Sequence, residues 1–142
     1  MEMVTAFTPL LLASVTPNHT PTIVNVASIL ARLPGPFWSA YNASKAAVAS
    51  YSDTLRLEVQ PLGLRVVTVY MGEVSTPFMA TEKINFGPNS LYRDVGEFVK
   101  ARTTTHLENT MPPAEFARQV VGALINGKDS FLWKGTNAFA VV

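Results

Sequence analysis

The sequence predicts an α/β fold, an open parallel sheet with helices packed on it. Three observations carry this. Two short β-branched stretches, residues 22–28 (TIVNVAS) and 64–70 (LRVVTVY), flank a long stretch, residues 39–60, with neither Gly nor Pro. A second helical pattern, residues 113–126, runs into a further short apolar stretch at 130–134 (SFLWK). The chain has 142 residues, 48% apolar and only 15% charged, which suits one domain with a buried core and argues against disorder.

Taken in order, residues 2–14 read as a helix that is apolar nearly all round, expected to be buried on more than one side and kinked at Pro9. Residues 15–21 (VTPNHTP) form a turn. The stretch 22–28 carries apolar residues on both faces, which predicts a central strand. Pro34, Gly35 and Pro36 make residues 29–38 a loop. Ser39 is the expected N-cap of the long helix, and Pro61 with Gly63 ends it. Strand, helix and strand then form a βαβ unit, with parallel strands and a right-handed crossover.

Gly72, Pro77, Gly87 and Pro88 mark residues 71–89 as a loop, and residues 90–102 read as a helix. Pro112 and Pro113 open the helix 113–126, which carries Phe116, Val120, Val121, Leu124 and Ile125 on one side, and Gly127 caps it. No repeat or linker divides the chain.

Composition excludes several function classes. Eleven Lys and Arg against ten Asp and Glu leave a formal charge of +1, so no basic field for nucleic acid exists. The chain has no cysteine and two histidines, which excludes a disulfide scaffold and argues against a metal site. No Asp, Glu, Lys or Arg occurs from Met3 to Ala31, yet Pro9, Pro17 and Pro21 interrupt the stretch, so it is not a membrane span. It has no basic n-region, so a signal peptide is not expected. The excess of apolar over charged residues points to a surface covered by a partner, a membrane or further sequence.

An open α/β sheet places its site beyond the carboxyl ends of its strands. Ser28 ends the first strand and Met71–Gly72 follows the second. Tyr41 and Lys45 sit four apart near the start of the long helix, on one helical face. An ammonium beside a phenol favours the phenolate, lowering its pKa from about 10. Such a phenol can give a proton to a carbonyl oxygen or take one back. The Ser28 hydroxyl is placed to hydrogen-bond the same oxygen. Trp38 is expected mainly to pack beside the helix start. Ser14, His19 and Asp53 lack any nucleophile-elbow sequence and are not expected to form a hydrolase triad.

The runs TIVNVAS, YNASKAAVASYSDTLRLEV and GLRVVTVYMGEVST, in this order and spacing, resemble the catalytic half of a short-chain dehydrogenase/reductase. The resemblance implies a partial Rossmann-type, doubly wound parallel sheet lacking the N-terminal glycine-rich βαβ unit, and a single truncated domain over 1–142. It implies that Ser28 orients a substrate carbonyl, that Tyr41 is the general acid/base, and that Lys45 tunes Tyr41 and binds the nicotinamide ribose. It also implies that Gly72, Val74 and Thr76 contact the cofactor. Met71 stands where the family usually has Pro. No two glycines are two apart, so the pyrophosphate-binding turn is missing from these residues.

The runs NSLYRDVGEFVKAR, MPPAEFARQVV and FLWKGTNAF are similar to fungal members near the NADPH-dependent 1-acyldihydroxyacetone phosphate reductases. This implies NADPH-dependent reduction of a ketone to an alcohol, on a lipid phosphate or, alternatively, on a fungal secondary metabolite. It further implies an intracellular location, cytoplasmic or on the endoplasmic reticulum or lipid droplets, with peripheral membrane association. Homodimerisation through the helices 2–14 and 39–60 is also implied. An inactive remnant keeping only that dimer surface is the third alternative. Phe78, Met79 and Phe86 fall in the family's substrate lid.

Overall fold

The computed structural model describes residues 1–77, 86–99, 101 and 109–141. Its elements are α1 (Glu2–Ala13), β1 (Thr22–Ser28), α2 (Ser39–Val59), β2 (Arg65–Met71), α3 (Pro113–Asn126) and β3 (Phe131–Lys134). Short 3-10 turns follow β1 at Ile29–Ala31 and α2 at Gln60–Leu62. The strands form one sheet in the order β1-β2-β3. Both pairings are parallel, with Thr22 opposite Arg65, Ser28 opposite Met71, and Met71 opposite Lys134. The βαβ unit expected from the sequence is therefore present, with α2 as its connection.

The sheet is covered unequally. On one face, α2 buries Ala49, Ser52, Leu55 and Val59, a stripe at helical spacing. Leu55 and Val59 pack with Ile23, Leu64 and Val66, while Ala49 packs with Ala27 and Tyr70. On the other face, Val67, Val69 and Leu132 meet Phe116, Val120, Ala123 and Leu124 of α3. β2 is thus buried on both faces, in keeping with its unbroken β-branched sequence.

Polar contacts fix α2 on the sheet. Arg56 donates from Nε to the Val66 carbonyl at 3.1 Å and from Nη2 to Thr68 Oγ1 at 2.9 Å. Its guanidinium lies 4.4 Å from the Phe131 ring centroid, and Asp53 Oδ1 accepts from its Nη1 at 2.9 Å. Asn25 of β1 donates to Ser52 Oγ at 2.9 Å, so the two polar groups turned inward satisfy each other. Arg65 at the start of β2 donates to the Leu124 carbonyl at 3.1 Å, a cation at the C-terminal end of α3.

Three expectations need correction. β1 is an edge strand, not a central one, with β2 as its single neighbour among the described residues. Val24 is 38% exposed and Val26 46%, because α3 reaches only the β2–β3 part of that face. α1 is not buried on several sides; none of its residues is buried. Only the stripe Val4 and Leu11 packs, against the Ile23–Leu55 cluster, since the sheet and α2 offer α1 one flank. Ser39 is the first helical residue and Trp38 the N-cap, because the Asn42 N–H already bonds the Trp38 carbonyl at 2.8 Å.

Smaller differences concern the ends of elements. β2 ends at Met71, so that residue belongs to the strand rather than the loop. Of residues 90–102, the described part is a 3-10 turn, Arg93–Val95, running into helix at 96–99. Phe78, Met79 and His106 lie outside the described residues.

Gly72 is required by close packing. A Cβ there would collide with the Thr136 carbonyl oxygen and lie 3.0 Å from the Ala138 nitrogen, where the chain leaving β3 crosses it. Backbone atoms cannot move aside as a flexible side chain would, so Gly72→Ala should lower stability by about 1–3 kcal/mol. Thermal denaturation checks this; a midpoint within a degree of the unsubstituted chain would contradict it.

Candidate active site

The elements converge on the carboxyl ends of the strands. β1 delivers Ser28 there, and the Ser28 Oγ accepts the Leu30 N–H at 3.2 Å, capping the turn that follows. A hydroxyl accepting one bond still has its hydrogen to donate. Ser28 is only 4% exposed, so the Ile29–Ala31 turn holds it in place beneath the surface.

Tyr41 and Lys45 lie on the first turns of α2, both half-buried. The Lys45 Nζ is 5.7 Å from the Tyr41 ring centroid and donates to the Val26 carbonyl at 3.2 Å. That carbonyl is two residues before Ser28. One ammonium therefore faces the phenol and grips the strand that carries the serine, which brings the α2 start and the β1 end to one place. Trp38 packs edge-on against Tyr41, centroids 5.4 Å apart at 77°, so it braces the phenol as expected of a packing residue.

The Gly72 loop is pinned from two sides. Glu73 pairs with Thr136 in both directions, at 2.9 and 3.0 Å. The Ser75 N–H bonds the Met111 carbonyl at 2.9 Å. Val74 is buried beside Met111, and Thr76 is half-buried at the end of the pinned stretch. The missing side chain of Gly72 is thus already explained by the chain's own backbone.

Sequence reasoning missed a second polar group behind the site. Arg32, just after the Ser28 turn, donates to the hydroxyl of Tyr70 at 3.0 Å. Tyr70 is fully buried and stacks on Trp133 at 4.2 Å and 10°. Asp53 lies 3.7 Å from Arg32 as well as bonding Arg56, so it is committed to these cations and not to Ser14 or His19. The hydrogen bond to Tyr70 pushes the pKa of Arg32 above its already high value, so the guanidinium stays charged at any working pH. The ends of β1, β2 and β3 are tied together by this chain of contacts. Its only sequence signal is an aromatic residue at matching register on β2 and β3, Tyr70 opposite Trp133. Among the described residues no group of His, Cys, Asp or Glu could hold a metal ion, and no helix is long and apolar enough to cross a membrane.

Known proteins are similar to this chain in sequence and fold. The family model for short chain dehydrogenases matches residues 1–85. The short-chain dehydrogenase srdE of Neurospora crassa is 34% identical, over 96% of this chain and 46% of its own. An NADPH-dependent 1-acyldihydroxyacetone phosphate reductase of Schizosaccharomyces pombe is 37% identical over 67% of this chain and 31% of its own. A short chain dehydrogenase from Burkholderia cenocepacia, solved in complex with NADP, superposes with a TM-score of 0.65 at 25% identity, over 98% of this chain and 46% of that one. The chain spans about half the length of the curated relatives it matches most fully. The family model covers β1, α2 and β2 with every residue placed around Tyr41, and on that ground the chain belongs to the short-chain dehydrogenase family.

Proposed function

We propose that this chain carries the proton-transfer centre of an NADPH-dependent reductase that converts a ketone to an alcohol. The observation that carries the reading is the position of Lys45, which faces the Tyr41 ring while gripping β1 at Val26. It supports a site in which a carbonyl oxygen receives a hydrogen bond from Ser28 and a proton from the Tyr41 hydroxyl. The ammonium adds positive charge where negative charge develops on that oxygen.

The donor set suits a nicotinamide ribose. Of the three Lys45 donors one is used on Val26, which leaves others for sugar hydroxyls beside the Tyr41 hydroxyl. Val74 and Thr76 lie on the rigid loop that would flank the nicotinamide, held there by Thr136 and Met111. The bound cofactor would supply the hydride. NADPH is favoured over NADH by the S. pombe relative, which is named for it. Fungal short-chain dehydrogenases such as those of Neurospora crassa and Aspergillus ruber match more of this chain than the S. pombe lipid-phosphate reductase does.

A second reading rests on one observation: α1 buries none of its residues, and Met3, Phe7 and Leu10 stand exposed. On it the chain is an inactive module that pairs with its own copy through the helices 2–14 and 39–60. Sedimentation of the 142-residue chain should then show a dimer that Leu10→Glu converts to monomer; a monomeric parent chain removes this reading.

For catalysis, residues 1–142 can be transplanted into the Neurospora relative in place of the segment they align with. The chimera should reduce ketones with NADPH, and Tyr41→Phe should lower kcat by about 10² to 10⁴ with the fold intact by circular dichroism. A folded chimera without turnover, or a Tyr41→Phe chimera with full turnover, refutes the assignment.

The 142-residue chain alone has no pair of glycines two apart to seat a pyrophosphate on a helix N-terminus. Calorimetric titration with NADPH should therefore give no micromolar binding to it. In the chimera, Lys45→Ala should weaken both NADPH binding and turnover. Unchanged binding would remove the ribose role of Lys45.

A further inference from the structure

Asn126 and Gly127 form the one Asn-Gly pair in the sequence. Such a pair is chemically labile wherever the chain is free to move, because glycine leaves its own backbone nitrogen unshielded. That nitrogen can attack the side-chain amide carbon of the asparagine and close a five-membered ring. The fold itself demands the glycine. Gly127 ends α3, and its N–H bonds the Ala123 carbonyl at 2.9 Å. A Cβ on Gly127 would lie 2.5 Å from that same oxygen. Closing α3 against its own last turn therefore puts a glycine after Asn126.

The folded geometry holds the reaction off. The attacking nitrogen must give up its proton, and that proton is engaged with Ala123. The amide under attack is engaged as well, since Asn126 Nδ2 donates to the Gly122 carbonyl at 3.1 Å. Asn126 is the last helical residue of α3, and the ring cannot close until its ψ leaves the helical range. Arg65 clamps the pair from both sides. Its Nη1 donates to the Leu124 carbonyl at 3.1 Å and its Nη2 to the Asp129 carbonyl at 2.9 Å. One guanidinium thus spans the chain from before Asn126 to beyond Gly127. Asn126 is exposed, and Ile125 beside it is 76% exposed. Hydrogen bonds rather than apolar cover hold this end, and helix ends fray first.

We propose that Asn126 is a deamidation site which the fold keeps closed and which opens when the last turn of α3 frays from Arg65. The Gly127 nitrogen bonds Asn126 Cγ and gives up its proton. The Cγ–Nδ2 bond breaks, and Nδ2 leaves as ammonia. Water then opens the ring at either carbonyl, giving aspartate or iso-aspartate at position 126. The product is a poorer helix end. A carboxylate has no hydrogen to give the Gly122 carbonyl, and it stands at the negative end of the helix dipole. Asp129 Oδ2 lies 4.0 Å from the Cβ position of Gly127, so like charges gather there. Because α3 covers Val67, Val69 and Leu132, the change loosens one face of the sheet.

Peptide mass spectrometry of the 142-residue chain, incubated in mildly alkaline buffer with and without guanidinium chloride, tests this. The mass gain of deamidation at Asn126 should be about tenfold faster in the denaturant, and faster there than at any other asparagine of the chain. Arg65→Gln should speed it about fivefold in buffer and leave the rate in denaturant unchanged. Asn126→Gln, whose ring would have six members and closes far more slowly, should show no gain at the site. Asn126→Asp should lower the thermal midpoint by about 2–6 °C, and Asn126→Gln by less.

Hydrogen exchange separates fraying from global unfolding. The Gly127 N–H should exchange faster than that of the buried Val67. Equal deamidation in buffer and denaturant, or a Gly127 N–H as protected as Val67, would each overturn the gate, even if Arg65→Gln fails to fold. A folded Arg65→Gln chain that deamidates like the parent would remove the clamp. Another asparagine reacting faster in denaturant would overturn the site, and an Asn126→Asp chain as stable as the parent would overturn the consequence.

Discussion

The double-sided burial of β2 is the constraint on which the structure depends. Val66 to Tyr70 are all buried, paired with β1 along one edge and, from Thr68 onward, with β3 along the other. Each fully buried valine contributes roughly 1.5–3 kcal/mol relative to exposure, and no other segment among the described residues concentrates burial in this way. α2 and α3 are placed by the two faces of this strand. The loops of the candidate site are placed by its carboxyl end, because Ser28 lies opposite Met71 and Lys134 lies opposite Met71 on the other side. The site is rigid because three strand ends are locked in one register.

Polar groups finish what the apolar core begins. Apolar contact alone would let α2 slide along the sheet, since the stripe Ala49, Ser52, Leu55 and Val59 is shallow. Arg56 bonds the Val66 carbonyl and the Thr68 hydroxyl, and Asn25 bonds Ser52. These directional contacts fix the position of α2 and with it the height of Tyr41 above the strand ends. Lys45 does the same near the helix start through Val26. A charged residue that serves chemistry in the proposed function therefore also serves as a structural tether.

The family assignment and the physical reading meet at α2. Tyr41 and Lys45 are four apart, and a helix places such a pair on one face whatever lies around it. The family supplies a purpose for the pair, while the fold supplies its neighbours: Trp38 against the phenol, Val26 under the ammonium. Gly72 shows the limit of transferring roles by motif. A glycine at that position is needed simply because Thr136 and Ala138 pass over it, so its presence alone says nothing about a cofactor.

The sequence by itself determined the elements and their connection. Local patterns did this: β-branched runs for β1 and β2, a Gly- and Pro-free run for α2, and Pro113 with Gly127 to bound α3. Parallel pairing followed from the long crossover. The helical spacing of Tyr41 and Lys45 was legible for the same reason, because i and i+4 is a local relation. Only the tertiary structure decided the rest. The apolar residues of β1 and α1 read as buried from both sides, yet Val24, Val26, Met3 and Leu10 stay exposed, because hydrophobicity says that a face seeks cover and not whether a neighbour is there. The ties of Arg32 to Tyr70, of Arg56 to Thr68 and of Phe37 to Phe86 and Tyr92 join residues between 12 and 55 positions apart. No periodicity encodes such contacts; they exist because the register of the sheet and the path of the loops bring those side chains within reach.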